Sequence, residues 1–439
     1  MRKLKKVLAL SLALAMGLSL VACGGSDSTD TATDATTAEE QTDDGNDATD
    51  ETDATDDGSD TSNAGGITAP DASGWDESKK IYAYSWDDDF EKKLNVVLDA
   101  DPEYKDYVEY INLGIASEES LEQIDLAFDS DKYPSLIPGD VGSAKYWTED
   151  DSKTANLYDL GFTEDMINQD YSFVKEFAEY NGALKAVTWQ NTAGSVFYRR
   201  DIANEVFGTD DPEAIQAELA DWDKFFAAAD KLKEAGYSIV AGPKEIYYAI
   251  INAHTQPWVT VADDGTETLT LDSSVSDFLE KAKKLYDGGY TLGATTWDGD
   301  WAAGMTDDSK VFCYFGCPWF IGVMTGNGAT EGNWAACVGP QSYYWGGTFV
   351  SIGKDTPNPE LAAFICYELA CDPEIGVNIT NITGDAVANK EANTRLESEI
   401  ASDNAGVKFL GGQNPYATWA AAAENVDQSA VTYSDKYFE

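Results

Sequence analysis

The chain has 439 residues, with 29 Lys and Arg against 79 Asp and Glu, giving a formal net charge of −50. So acidic a surface repels duplex nucleic acid and anionic membranes, and it disfavours polyanionic substrates. With 43% apolar and 12% aromatic residues the chain still buries a sizeable core. The part able to fold is longer than one hydrophobic core usually supports, so two lobes are expected.

In chain order, residues 1–22 open with Arg2, Lys3, Lys5 and Lys6 and continue as an apolar run from Val7 to Ala22. That run is short for a bilayer span of about 20 residues and suits the apolar region of a signal peptide. It ends in Leu20-Val-Ala-Cys-Gly-Gly25, which resembles the lipobox of bacterial lipoproteins. The resemblance implies acylation of Cys23, export, and anchoring to the outer face of the bacterial cell membrane through lipid alone. Residues 24–78 hold 17 acids and no base. Up to residue 74 they repeat Asp, Thr, Ala, Gly and Ser, a composition that buries too little apolar surface to offset ordering. Residues 23–74 therefore read as a lipidated Cys and a disordered acidic tether, held extended by like charges. Calcium binding by such a tether is left open.

The body begins with a strand at 81–86, followed by a helix in which Phe90, Leu94, Val97 and Leu98 fall at helical spacing. A strand at 107–113, a helix with Leu121, Ile124 and Phe128 on one face, and a short strand at 135–138 come next. This alternation predicts a parallel sheet covered on both faces, with ligand beyond the carboxyl ends of its strands, near Trp86, Asp87 and Asp140. A second series follows. It has a strand at 195–198, a helix capped by Asp221 with Trp222, Phe225, Phe226, Ala229 and Leu232 inward, and a helix at 276–287 with Phe278, Leu279, Ala282, Leu285 and Tyr286 inward. Strands at 312–315 and 347–353 and a helix opened by Pro359 complete it. Both series read as α/β.

Beyond Cys23 the cysteines are Cys313, Cys317, Cys337, Cys366 and Cys371, an odd number in an exported chain, so at least one is a free thiol. Any disulfide among them is undecided. His254 is the one histidine, which argues against a zinc site and against most His-dependent catalysis, and no metal or cofactor is expected.

Several stretches, in this order, resemble one family: the lipobox; Tyr133-Pro-Ser-Leu-Ile137; Gly182-Ala-Leu-Lys-Ala-Val-Thr-Trp-Gln-Asn191 through Val196-Phe-Tyr-Arg-Arg-Asp201; Asp221-Trp-Asp-Lys-Phe-Phe226; Val311 to Trp319; Trp345-Gly-Gly-Thr-Phe-Val-Ser-Ile352; and Asn358-Pro-Glu-Leu-Ala-Ala-Phe364. The chain is similar to the extracellular solute-binding proteins of carbohydrate ABC importers, from Lys79 to its end. In that family the tyrosine-rich strand usually ends in Asn-Lys-Asp, whereas here Arg199-Arg-Asp201 stands in its place. The resemblance implies an α/β, two-lobed periplasmic-binding-protein type II fold. One lobe would comprise residues 79–190 with 348–395, the other 191–347 with 396–439. Hinge crossings are expected near Gln190–Gly194, Gly346–Gly347 and residue 395. The partners implied are a carbohydrate ligand and the permease subunits of an ABC importer, the protein itself being a monomer and not an enzyme.

The 12 Trp all follow residue 74, and several adjoin acids or turns instead of falling in apolar runs. A sugar offers an apolar C–H face and a rim of hydroxyls, so its site needs flat aromatic platforms beside Asp, Asn and Gln. The ligand-binding candidates are Trp86, Asp87, Asp140, Trp189, Gln190, Asn191, Trp258, Trp297, Asp298, Trp319, Trp345 and Gly346. The expected ligand is an oligosaccharide or related neutral sugar. One alternative keeps the fold and binds a cation such as a polyamine, with Trp and Asp as its cage. A second is an anchored glycoside hydrolase using a carboxylate pair. Replacing Cys23 by Ser is expected to move the protein from the membrane fraction into the medium, and retention of the variant on membranes would overturn the lipid anchor.

Overall fold

The computed structural model describes residues 65–262 and 264–432. Cys23, the signal segment and most of the acidic tether lie outside the described residues, among which no helix is long and apolar enough to cross a membrane.

The first sheet follows from strands that are apolar on both faces. Strands Ile81–Ser85 (β1), Val108–Asn112 (β2) and Pro134–Asp140 (β3) run parallel, with β1 paired to both others. On one face Ile81, Ala83 and Leu136 meet Phe90, Leu94 and Val97 of helix Asp89–Ala100 (α1). On the other, Tyr84 and Ile137 meet Ile124 of helix Ser117–Ala127 (α2) and Trp147. Each fully buried side chain of this kind contributes about 1.5–3 kcal/mol. The expected two-faced covering is present, as are the spacing-derived core positions of α1.

The second sheet, for which the sequence reading set no strand direction, is antiparallel. Strand Ser195–Arg199 (β4) is central and pairs antiparallel with both Cys313–Gly316 (β5) and Trp334–Cys337 (β6). Ser238 pairs in parallel with Val311 beside it. The antiparallel pairing has a positional consequence: β5 ends with Gly316 opposite Ser195, where β4 begins, so the next residues, Cys317, Pro318 and Trp319, emerge where the chain enters this sheet. Helix Trp222–Glu234 (α3) is capped by Asp221, which accepts from the Lys224 amide at 2.8 Å, and it buries Phe225, Phe226, Ala229 and Leu232. In helix Ser273–Gly288 (α4) the expectation fails for Leu279 and Tyr286, which are exposed. The helix lies at the periphery, with Leu285 buried and Phe278 against the edge of Tyr247, so only one narrow stripe has something to cover it. All five described cysteines are buried and in no disulfide.

Strand Thr348–Ile352 (β7) returns to the first sheet, antiparallel to β3, with Thr348 opposite Asp140. Three segments lie side by side between the sheets. Asn191 donates its amide to Ala386 and Ala388 donates to Trp189, at 2.9 and 2.7 Å. Trp345 donates to Thr192 at 3.1 Å, and the Thr192 hydroxyl donates to Gly346. Gly346 and Gly347 take φ of 71° and 117°, values that side chains disfavour. Residue 395 is not in such a segment. It lies within helix Lys390–Glu399 (α6; helix Pro359–Ala370 is α5), and the stretch that pairs with the others is 385–388.

Asp385 joins these segments. One of its oxygens accepts from Gln190 Nε2 at 2.8 Å and from Trp189 Nε1 at 3.2 Å, and lies 3.3 Å from Lys93 Nζ. Lys93 also reaches Asp89 at 2.5 Å. Burial opposes the Lys93 charge, but Asp385 and Asp89 outweigh it and hold the ammonium above the ordinary lysine range. Lys93→Met should lower the unfolding free energy by roughly 3–5 kcal/mol, because a buried carboxylate loses its cation. Denaturant melts read this directly; an unchanged midpoint would show that the ion pair does not hold the segments together.

Candidate ligand-binding cleft

Because β1 and β3 are parallel and β7 runs against them, the ends of β1 and β3 and the start of β7 share one edge of the first sheet. A cavity of about 420 Å³ opens there. Trp86 and Asp87 reach it from the turn after β1, Asp140 from the end of β3, Gln190 from the first crossing and Gly346 from the second. Trp319, delivered by the end of β5, forms the opposite wall. The structure thus brings six of the sequence candidates to one place.

Behind Trp319 stands an aromatic cluster. The Trp345 ring stacks on Tyr248 with centroids 4.4 Å apart, and Trp319 meets it edge-on at 4.9 Å. Trp319 Nε1 donates to the Trp345 carbonyl at 3.1 Å, which fixes the ring. Trp297 lies 6.0 Å from Trp345, is 55% exposed, and takes φ of 73°. A large non-glycine residue in that region is uncommon, and such conformations cluster at binding sites. Beneath it, at 4.9 Å, Trp301 is buried and donates Nε1 to Glu245 Oε2 at 2.8 Å. Burial pushes the Glu245 carboxyl up to about 8, so it is largely protonated at neutral pH. Asp298 is exposed beside Trp297.

The polar wall is unevenly committed. Gln190 spends its amide on the protein, accepting from the Thr348 amide at 2.8 Å and donating to Asp385. Asp87 accepts from the Asp89 amide at 2.9 Å, and Lys92 pairs with Asp88 at 3.1 Å. Among the described residues the one side chain that bonds Asp140 is the Ser117 hydroxyl at 3.4 Å, and the Gly142 and Val141 amides also face its carboxyl. Burial, with repulsion from Glu118, pushes its carboxyl up to about 6.

The other six candidates do not line this cavity: Trp345, Trp297 and Asp298 belong to the cluster behind Trp319, and the remaining three are buried elsewhere. Trp189 is 1% exposed, stacked on Phe90 at 5.6 Å with its Nε1 held by Asp385. Asn191 is fully buried, donating to the Trp419 carbonyl and accepting from the Ala193 amide. Trp258 is buried and stacks on His254 at 4.6 Å. Gln190 and Asn191, the polar neighbours of Trp189, bond to the crossing segments. Tyr248 and Glu245 were missed: Tyr248 reads as a helix residue, and nothing local marks Glu245 as buried. A separate cavity of about 470 Å³ over Asp170 shares no lining with the cleft. Among the described residues no group of three or more His, Cys, Asp or Glu could hold a metal ion.

Comparison with known proteins identifies the family and the fold. Residues 85–408 match the model of a family described as bacterial extracellular solute-binding protein. No curated protein matches the chain. Among solved structures, an extracellular solute-binding protein of family 1 is 15% identical, covers 80% of this chain and 88% of its own, and superposes with a TM-score of 0.65. The ABC-transporter binding protein of B. animalis subsp. lactis Bl-04, solved with β-1,6-galactobiose, is 20% identical over 80% and 86% of the two chains, with a TM-score of 0.57. The galacto-N-biose- and lacto-N-biose I-binding protein of Bifidobacterium longum, solved with lacto-N-biose, is 16% identical over 79% and 85%, with a TM-score of 0.59. At such identities the likeness is one of fold. The family match spans well over half of the sequence, and the chain belongs to the bacterial extracellular solute-binding proteins.

Proposed function

We propose that this chain is the lipid-anchored receptor of a carbohydrate ABC importer, capturing an oligosaccharide or related neutral sugar in the cleft and delivering it to the permease. The observation that carries this reading is one cavity lined by Trp86 and Trp319 together with Asp87 and Asp140, with Trp345 packed against Trp319 behind it. An aromatic wall covers the C–H face of a pyranose, while the carboxylates accept from its hydroxyls. Sugar complexes of proteins with the same fold support it. In this reading the lobes divide at the three paired segments, and closure about Gly346 and Gly347 traps the ligand.

Titration calorimetry against neutral oligosaccharides of plant, host and bacterial origin is expected to find a micromolar ligand, about −8 kcal/mol. Trp319→Ala should weaken it at least about tenfold. Silence across the panel would remove the proposal. The acids of the cavity favour a second reading, a cationic solute such as a polyamine. Binding that collapses between low and high salt selects the cation, and near-indifference to salt selects the sugar.

Asp140 adds a pH signature. Its raised carboxyl is ionised above about 6 and neutral below. Only the ionised form accepts at both oxygens, so sugar affinity should fall as pH drops from 7 to 5. Asp140→Asn should bind more weakly at pH 7 and lose that dependence; a wild-type profile flat across this range would exclude Asp140 as an ionised acceptor.

A further inference from the structure

A second cavity, of about 520 Å³, adjoins the first and shares Asp89, Lys92, Trp319 and Gly322 with it. Its lining is not acidic but balanced. The buried Lys93 faces it together with Asp89 and Asp385, the last with a side chain only 4% exposed. Thr383 and Thr325 add hydroxyls, and Ile382, 70% exposed, offers an apolar surface with no partner of its own. An ammonium held between two carboxylates places a donor and acceptors at hydrogen-bonding separation. Adjacent hydroxyls on a sugar ring match that spacing, one accepting from nitrogen and its neighbour donating to oxygen. The apolar edge of the same ring suits Ile382 and the far side of Trp319.

We propose that this second cavity is a distinct sugar subsite, and that the physiological ligand runs past Trp319 to fill both cavities, its terminal ring presenting a vicinal diol to the Asp89–Lys93–Asp385 group. The proposal rests on the sugar-binding reading above and adds to it a minimum length and a terminal-ring requirement. Charge balance separates the two ends: the first cavity holds Asp87, Asp88 and Asp140 with Lys92 as its cation, whereas the second pairs its carboxylates with Lys93. The second cavity is therefore built for neutral hydroxyls, and a terminal ring that lacks the diol makes fewer hydrogen bonds to the Lys93 group, whose ions remain paired with one another.

The test is calorimetry on the intact protein with one glycan series of increasing length, and with a matched glycan deoxygenated at one terminal hydroxyl. Affinity should rise about tenfold or more on adding the ring that reaches the second cavity, as two good hydrogen bonds predict. It should then stop rising, and the deoxygenated glycan should lose that gain. The exposed Thr325 lines only the second cavity, so Thr325→Trp fills it without touching the first. The variant should bind the short glycan as the wild type does and lose the increment for the longer one, with an unchanged melting temperature as the folding control. Equal affinity at all lengths, an increment untouched by Thr325→Trp, or an increment indifferent to the terminal diol overturns the subsite. Failure of every length to bind overturns the sugar reading itself, a different outcome.

Discussion

The architecture depends on one buried carboxylate. Asp385 sits where the chain makes one of its passages between the two sheets, and it holds the indole of Trp189, the amide of Gln190 and the ammonium of Lys93 at once. Gln190 in turn fixes the amide of Thr348, the first residue of β7. All three passages, and the first turns of α1, are thus tied to a single side chain. A buried charge of this kind tolerates no half-measures: with its partners it specifies one arrangement, and without them it is costly. The cleft opens directly above the knot. The walls of the cavity are hung from the same few atoms that tie these segments together.

How much of this was legible depends on range. Periodicity over ten residues placed the helices and strands of the first sheet, because Phe90, Leu94 and Val97 recur at helical spacing and β1 and β3 centre on the short apolar runs at 81–84 and 136–138. It located Trp86, Asp87 and Asp140 as well, since parallel strands carry their ligands at one end. The antiparallel character of β4, β5 and β6 was not legible, because Arg199 and Cys313 are separated by more than a hundred residues and no local signal sets the direction of return. Leu279 and Tyr286 follow the helical repeat faithfully yet remain in solvent, because a peripheral helix has less to cover than its sequence offers.

The misread tryptophans are more instructive. Trp189 stands among Thr188, Gln190 and Asn191, a setting that suggested a sugar platform. Those polar groups are consumed by the crossings: Asn191 on backbone, Gln190 on Thr348 and Asp385. A polar neighbourhood around an aromatic marks buried backbone in need of partners as readily as it marks a ligand. Conversely Lys93 and Asp385, an ordinary helical lysine and a loop aspartate by sequence, are the most deeply buried charges lining the second cavity. Pairing over nearly three hundred residues leaves no trace in either neighbourhood.

The five thiols have a practical side. Cys313, Cys317, Cys337, Cys366 and Cys371 are sealed within the folded body, and burial keeps each thiol well above its usual range, hence protonated and unreactive. Chemically the native surface from residue 65 to residue 432 behaves as though it had no cysteine. One thiol placed by mutation on the rim of the cleft is then the one exposed cysteine among residues 65–432. A polarity-sensitive dye carried there reports any change in the cleft optically, with no background from the five buried thiols and no need to remove a single native sulfur from the core.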